Sequence, residues 1–130
     1  MDLRDMTNEQ AAALLLEKSP PCVESLVRFV QHGTRLNGFM HALMCNDLRR
    51  VIMTGDDINI PLLTAWVNVV SHVVHHSCWG SYAVVGAWED YRCRTSEAGL
   101  LAMRISMRQM PDAWSAVVQK VMRDHTHLSR

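Results

Sequence analysis

Leu62-Leu63-Thr64-Ala65-Trp66-Val67-Asn68-Val69-Val70-Ser71-His72-Val73-Val74 decides the fold class. Its valines permit a strand. The run is longer than an ordinary strand, however, and has no strict alternation of apolar and polar residues. Apolar on most sides, it reads as a central helix surrounded by others.

Helical punctuation continues on both sides. Toward the amino terminus, Thr7-Asn8-Glu9-Gln10 has the capping-box form and predicts a helix to about Lys18. Ser19-Pro20-Pro21 stops it and restarts the chain, because proline suits the donor-free first turn. Val23, Leu26, Val27 and Val30 form the apolar stripe of a second helix, which Gly33 ends in a left-handed conformation. Asn37-Gly38 opens a third segment, with Phe39, Met40, Leu43 and Met44 followed by Leu48, Val51 and Ile52; Asn46-Asp47 makes it two short helices or one kinked helix. Asp56-Asp57-Ile58-Asn59 clusters cap-forming residues, with Asn59 as the expected cap and Pro61 in the turn it opens.

Toward the carboxy terminus, residues 77–81 read as a turn from which Ser81 caps a helix over 82–91, with Val84, Val85 and Trp88 inward. Thr95 or Ser96 caps the next helix, whose stripe is Leu100, Leu101, Met103, Ile105 and Met107. Pro111-Asp112 begins the last helix, burying Trp114, Val117, Val118 and Val121, and the HTHLSR end is expected to fray. The expectation is an all-α, single-domain bundle of six to eight helices over residues 1–130.

Composition narrows the function. At 130 residues, with 48% hydrophobic and 20% charged residues, the chain has enough apolar material for one core and too little charge for a disordered polymer. The longest apolar stretch, residues 60–74, is broken by Pro61, Asn68, Ser71 and His72 and falls short of the roughly 20 residues that cross a bilayer. The acidic start MDLRDMTNEQ is unlike a signal peptide, so a cytoplasmic location is expected. Cys22, Cys45, Cys78 and Cys93 are scattered and read as buried apolar residues.

Zero net charge conceals a gradient. Residues 1–91 carry six Lys and Arg against ten Asp and Glu, and residues 92–130 carry seven against three. Opposite halves can attract within a chain or between chains. Neutrality overall disfavours general nucleic-acid binding, which draws on displaced counterions, although Arg92, Arg94, Arg104, Arg108, Lys120 and Arg123 form a basic set.

Signatures of serine nucleophiles, P-loops and dinucleotide folds are absent from the sequence. His72, His75, His76 and Cys78 have metal-ligand spacing, with His72 and His76 four apart, and Cys78 beside histidines also allows a zinc or cysteine enzyme. The plainer reading is solvated histidines at a helix end. Asp56-Asp57 and Glu89-Asp90 are carboxylate pairs that can bind a cation or cap helices, and capping is the commoner role. Trp66, Trp88 and Trp114 lie in apolar stripes; Trp79, in a turn, is either a plug over the bundle or an exposed anchor. No cofactor is expected, and the chain reads as a binding protein and not as an enzyme.

Phe29, Gly33, Gly38-Phe39-Met40, Cys45-Asn46-Asp47-Leu48, Gly55-Asp56-Asp57-Ile58-Asn59, Cys78-Trp79-Gly80-Ser81 and Ala87-Trp88 together resemble a family of small, mostly uncharacterised proteins of temperate phages and prophages. The likeness covers about half the chain, within a core of residues 22–91. The family places Asn-Glu and a proline before the Cys-Trp-Gly-Ser turn, where this chain has His72, Val73 and His75, so a histidine metal site would be peculiar to this chain. Residues 92–130 form a basic helical extension without a place in the family pattern. The resemblance implies a cytoplasmic protein of the infected host that binds a host protein stoichiometrically, including as an anti-CRISPR-like inhibitor of a defence complex. Partner-facing candidates are Trp79, Asp56, Asp57, Arg92, Arg94, Arg104 and Arg108, with a homodimer and nucleic acid as further partners and no membrane.

Overall fold

Helix starts in this chain fall where a short polar side chain can accept from the first turn. The computed structural model describes residues 3–128, with side chains described through Asp124. Thr7 Oγ1 accepts from Gln10 N at 3.1 Å while Gln10 Oε1 accepts from Thr7 N at 2.9 Å, and α1 (Asn8–Lys18) follows. Helix α2 (Pro20–His32) begins on its two prolines and ends at Gly33, whose φ of 69° is the expected left-handed terminator.

Two short helices occupy the next segment. Asn37 Oδ1 accepts from Met40 N at 2.9 Å to start α3 (Gly38–Met44), and Asp47 Oδ1 accepts from Arg50 N at 3.1 Å to start α4 (Leu48–Thr54). Between them Asn46 has φ 60°, a turn that a kinked helix would not contain. The stretch of valines is helical, as α5 (Leu63–Val73). Ser81 caps α6 (Tyr82–Glu89).

Asp90 ends α6 close to the expected boundary and caps α7 (Tyr91–Thr95), a short helix outside the expected set. Ser96 caps α8 (Glu97–Arg108), and α9 (Ser115–Leu128) follows a short 3-10 turn. The described residues therefore hold nine α-helices instead of six to eight, and no strand. The fraying expected for HTHLSR falls on residues 125–130, outside those whose side chains are described.

A second correction concerns Asn59. It adopts helical dihedrals and makes no cap hydrogen bond. Asp56 Oδ1 does that work, accepting from Ile58 N at 3.1 Å and Asn59 N at 2.7 Å, while the Asn59 side chain turns inward and is buried. A third concerns α8. Its buried face is Gly99, Ala102 and Ser106, flanked by partly buried Met103 and Met107, whereas Leu101 of the expected stripe is 57% exposed. A Cβ at Gly99 would stand 1.9 Å from the Cys93 carbonyl oxygen, so the small face is what lets α8 close on α7.

Helix α1 packs on α5, α2 on α9 and α8, and α3 on α4. Three wholly buried tryptophans cross-tie these layers through their indole N–H groups. Trp88 donates to the carbonyls of Phe29 (3.0 Å) and Val30 (3.3 Å), Trp114 to Ala12 (2.9 Å), and Trp66 to Asn59 Oδ1 (3.1 Å). Burying such rings stabilises the fold only because each donor is met. Residues 92–124 contribute to this same core: Trp114 and Val121 are wholly buried, and two ion pairs, Arg28 to Asp124 at 2.5 Å and Lys120 to Glu24 at 2.7 Å, join α2 to α9. Part of the charge gradient is thus met inside the chain.

Candidate functional site

The residues of the sequence motifs meet in space and hold one another. Gly80 N–H donates to the Met44 carbonyl at 2.7 Å, and the Tyr82 hydroxyl donates to Asp47 Oδ2, tying the Cys-Trp-Gly-Ser turn to the α3–α4 corner. That hydrogen bond, followed by the one from Arg50 N, holds the Asp47 carboxyl below the usual range and raises the Tyr82 phenol. Asn59 joins Trp66 to Cys22, its Nδ2 lying 3.6 Å from Cys22 Sγ. These motifs build the frame.

Several expected contact residues have internal work. Arg94 Nη1 donates to the carbonyls of Trp88 (2.9 Å) and Glu89 (2.8 Å), closing the end of α6, and its guanidinium lies where a Cβ on Gly33 would be. Asp56 is the turn acceptor described above, and its bond from Asn59 N holds its carboxyl below the usual range. Trp79 is partly buried against the core and donates to the Val74 carbonyl at 3.3 Å, which makes it the plug of the two alternatives. Asp57, Arg92, Arg104 and Arg108 are exposed, and Arg104 and Arg108 lie one turn apart on α8. Among the described residues no ion pair links Asp56 or Asp57 to the basic set.

The histidine and cysteine constellation does not converge. His72 Nδ1 bonds the Asn68 carbonyl at 2.6 Å on the exposed side of α5, and the His75 and His76 rings lie against each other at 4.1 Å. Cys78 is wholly buried, and burial pushes its thiol up to about 12. Such a group is a protonated thiol at neutral pH, a poor nucleophile and a poor ligand. Among the described residues no three His, Cys, Asp or Glu side chains gather where they can hold a metal.

The most prominent surface feature lies on α4. Leu48, Val51 and Ile52 share one helical face by spacing, yet only Val51 is buried; Leu48 is 71%, Ile52 52% and Met53 72% exposed. The main neighbour of α4 is α3, and the side of α4 turned toward α5 is left open. Between them runs a groove of about 390 Å³ floored by Leu43, Val51 and Leu63, with Leu48 and half-exposed Val67 on its lips and Asp47 at one end. Asp56 and Asp57 follow the other end of α4. The apolar stripe was legible in the sequence. Its lack of an internal partner was not, because spacing says which residues share a face and not what covers it.

On the far side of α4, Arg50 Nη1 lies 2.7 Å from His41 Nδ1, and the His41 ring lies 3.7 Å, by Nε2, from buried Cys45 Sγ and 5.8 Å from the Tyr82 ring centroid. Burial, and then Arg50, hold His41 below its usual range, and burial raises the Cys45 thiol.

The chain matches no family model, no curated protein and no solved structure. No helix of the described residues is long and apolar enough to cross a membrane.

Proposed function

We propose that this chain is a stoichiometric protein-binding module whose contact face is the groove between α4 and α5. The unpartnered apolar stripe of α4 carries the reading. Leu48 and Val67 are the kind of side chains whose removal from water yields about 1.5–3 kcal/mol each, before the costs of association are subtracted. They line a concave surface with acids at both ends of α4. The occupant that fits is an amphipathic helical segment with basic flanks, laid into the groove by apolar residues at helical spacing. Asp57, exposed beside α4, would face those flanks. In the biological setting implied by the phage-family resemblance, the partner is a cytoplasmic host protein, and inhibition of a defence complex of the CRISPR kind follows from occupying its surface. The function is contact and not catalysis.

Two variants test the site. Leu48→Arg with Val67→Arg alters only exposed positions on the groove's lips, so it should fold as the parent does while losing a partner that the parent retains from host lysate at one-to-one ratio. Arg104→Ala with Arg108→Ala should retain that partner. The reverse pattern would move the contact to α8, and equal retention by both would refute the groove.

Nucleic acid is the second reading. Arg94 and Lys120 are engaged internally, which leaves Arg92, Arg104, Arg108 and Arg123 as its exposed cations. A mobility shift that weakens steeply with salt would favour it over the groove.

A further inference from the structure

A hollow of about 240 Å³ opens beside the amino end of α3, lined by Arg35, Leu36, Gly38, His41 and Arg50. Arg50 lies two residues from groove-lining Leu48, about 160° around α4, so this hollow faces away from the apolar groove. The two sites can therefore stand or fall separately.

Guanidinium groups have donors only, so the nitrogen of His41 that receives Arg50 must present a lone pair. His41 is accordingly neutral, with its proton on Nε2 toward Cys45 Sγ. The half-buried Arg50 cation thus leans on an uncharged ring. Its nearest acid in sequence, Asp47, is occupied by the Tyr82 hydroxyl and by the backbone N–H of Arg50, and no ion pair of the described residues includes Arg50. Arg35 stands at the mouth, 93% exposed, with Glu89 Oε2 3.9 Å from its Nε. Gly38 contributes open floor: a Cβ there would meet nothing within 4 Å. Two guanidinium groups therefore line one concavity in which a cation is held by neutral partners.

We propose that this hollow binds a small oxyanion, a phosphate or carboxylate group, with Arg50 as its principal donor and Arg35 closing over it. Paired guanidinium forks match planar and tetrahedral oxyanions, and a charge-assisted bond in a half-buried site is stronger than on an open surface. Glu89 opposes the ligand by competing for Arg35, and Asp47 opposes it from behind Tyr82. The arriving charge must displace the first and outweigh the second, whose carboxylate acts on Arg50 through space. Neutral His41 is the reporter, because an anion beside it favours the imidazolium.

The test is a titration of the full chain with inorganic phosphate and, separately, acetate, at constant ionic strength against chloride. Arginine Nε–Hε and histidine ring resonances are followed by NMR. Saturable movement of the Arg50 signal together with a rise in the His41 pKa is expected. Arg50→Gln should weaken binding by about tenfold or more, the loss of one charge-assisted bond. If that variant fails to fold, Arg35→Gln, at an exposed position, should weaken binding several-fold with the thermal transition unchanged. Phosphate bound well above acetate identifies a phosphate-bearing ligand, and comparable binding identifies a carboxylate. Shifts that never saturate, that match the chloride control, or that persist unaltered in both variants overturn the proposal.

Discussion

Asn59 is the residue on which the amino-terminal half turns. Its position is fixed by Asp56, its amide oxygen takes the Trp66 indole N–H, and its amide nitrogen faces Cys22 Sγ, all in a buried setting. Asn59→Ala leaves that indole donor buried without an acceptor, so urea unfolding should show a loss of about 1–3 kcal/mol. A sequence offers Asn59 as one cap former among four. Which of them faces inward depends on Trp66, seven residues away, and local spacing does not carry that information.

The carboxylates with displaced titrations all shift in one direction. Glu24 is held low by Lys120, Asp47 by Tyr82, Asp56 by Asn59 N and Asp124 by Arg28. Their contribution to stability is complete above the ordinary carboxylate range near pH ~4 and is lost as pH falls through the lower folded-state values. Burial also depresses His41 and His75, whose neutral forms favour the fold above pH ~6.5 and oppose unfolding less as pH falls through their folded-state values. The melting temperature should therefore decline in two stages on acidification from pH 7. His41→Gln should remove part of the first stage; an unchanged profile would show that His41 is not the group responsible.

Among the helices, glycine position decides what can pack. Gly99 is where α8 meets the backbone of α7, and Gly99→Ala should destabilise by about 1–3 kcal/mol because the obstacle is a carbonyl and not a flexible side chain. Gly86 lies in α6 with nothing within 4 Å of a Cβ, so Gly86→Ala should stabilise by about 0.5–1 kcal/mol. Paired thermal melts check both signs. The caps at Thr7, Asn37, Ser81 and Ser96 were legible because a cap is a local contract between neighbours. The burial of Gly99, Ala102 and Ser106 in preference to Leu101 was not, since a close helix crossing rewards small residues over large ones and only the crossing itself reveals it. The α4 stripe repeats the lesson in reverse, with apolar spacing present and the internal partner missing.

At the scale of the whole molecule, residues 92–124 pack into the core built by the rest of the described chain. Trp114 reaches the Ala12 carbonyl, and Glu9 accepts from Asp112 N at 2.8 Å, so the two ends of the chain complete each other. A chain cut after Tyr91 should lose its cooperative thermal transition, whereas a dispensable extension would leave one intact. Motif matching alone put the boundary there, because the motifs stop near Trp88 and the contacts that bind α9 to α2, and the turn before α9 to α1, are long-range. The zinc reading failed for a related reason. Three histidines and a cysteine close in sequence were divided among the exposed side of α5 (His72), the turn after it (His75 and His76) and a buried thiol (Cys78).

The central claim concerns a face that is apolar, concave and uncovered. A photo-crosslinking residue at Leu48, and in a second sample at Arg108, exposed to host lysate and read by mass spectrometry, tests it most directly. One-to-one adducts from position 48, mapping to a helical segment with apolar residues at helical spacing and basic flanks, are the predicted result. Adducts from position 108 alone, or none from position 48, would contradict it.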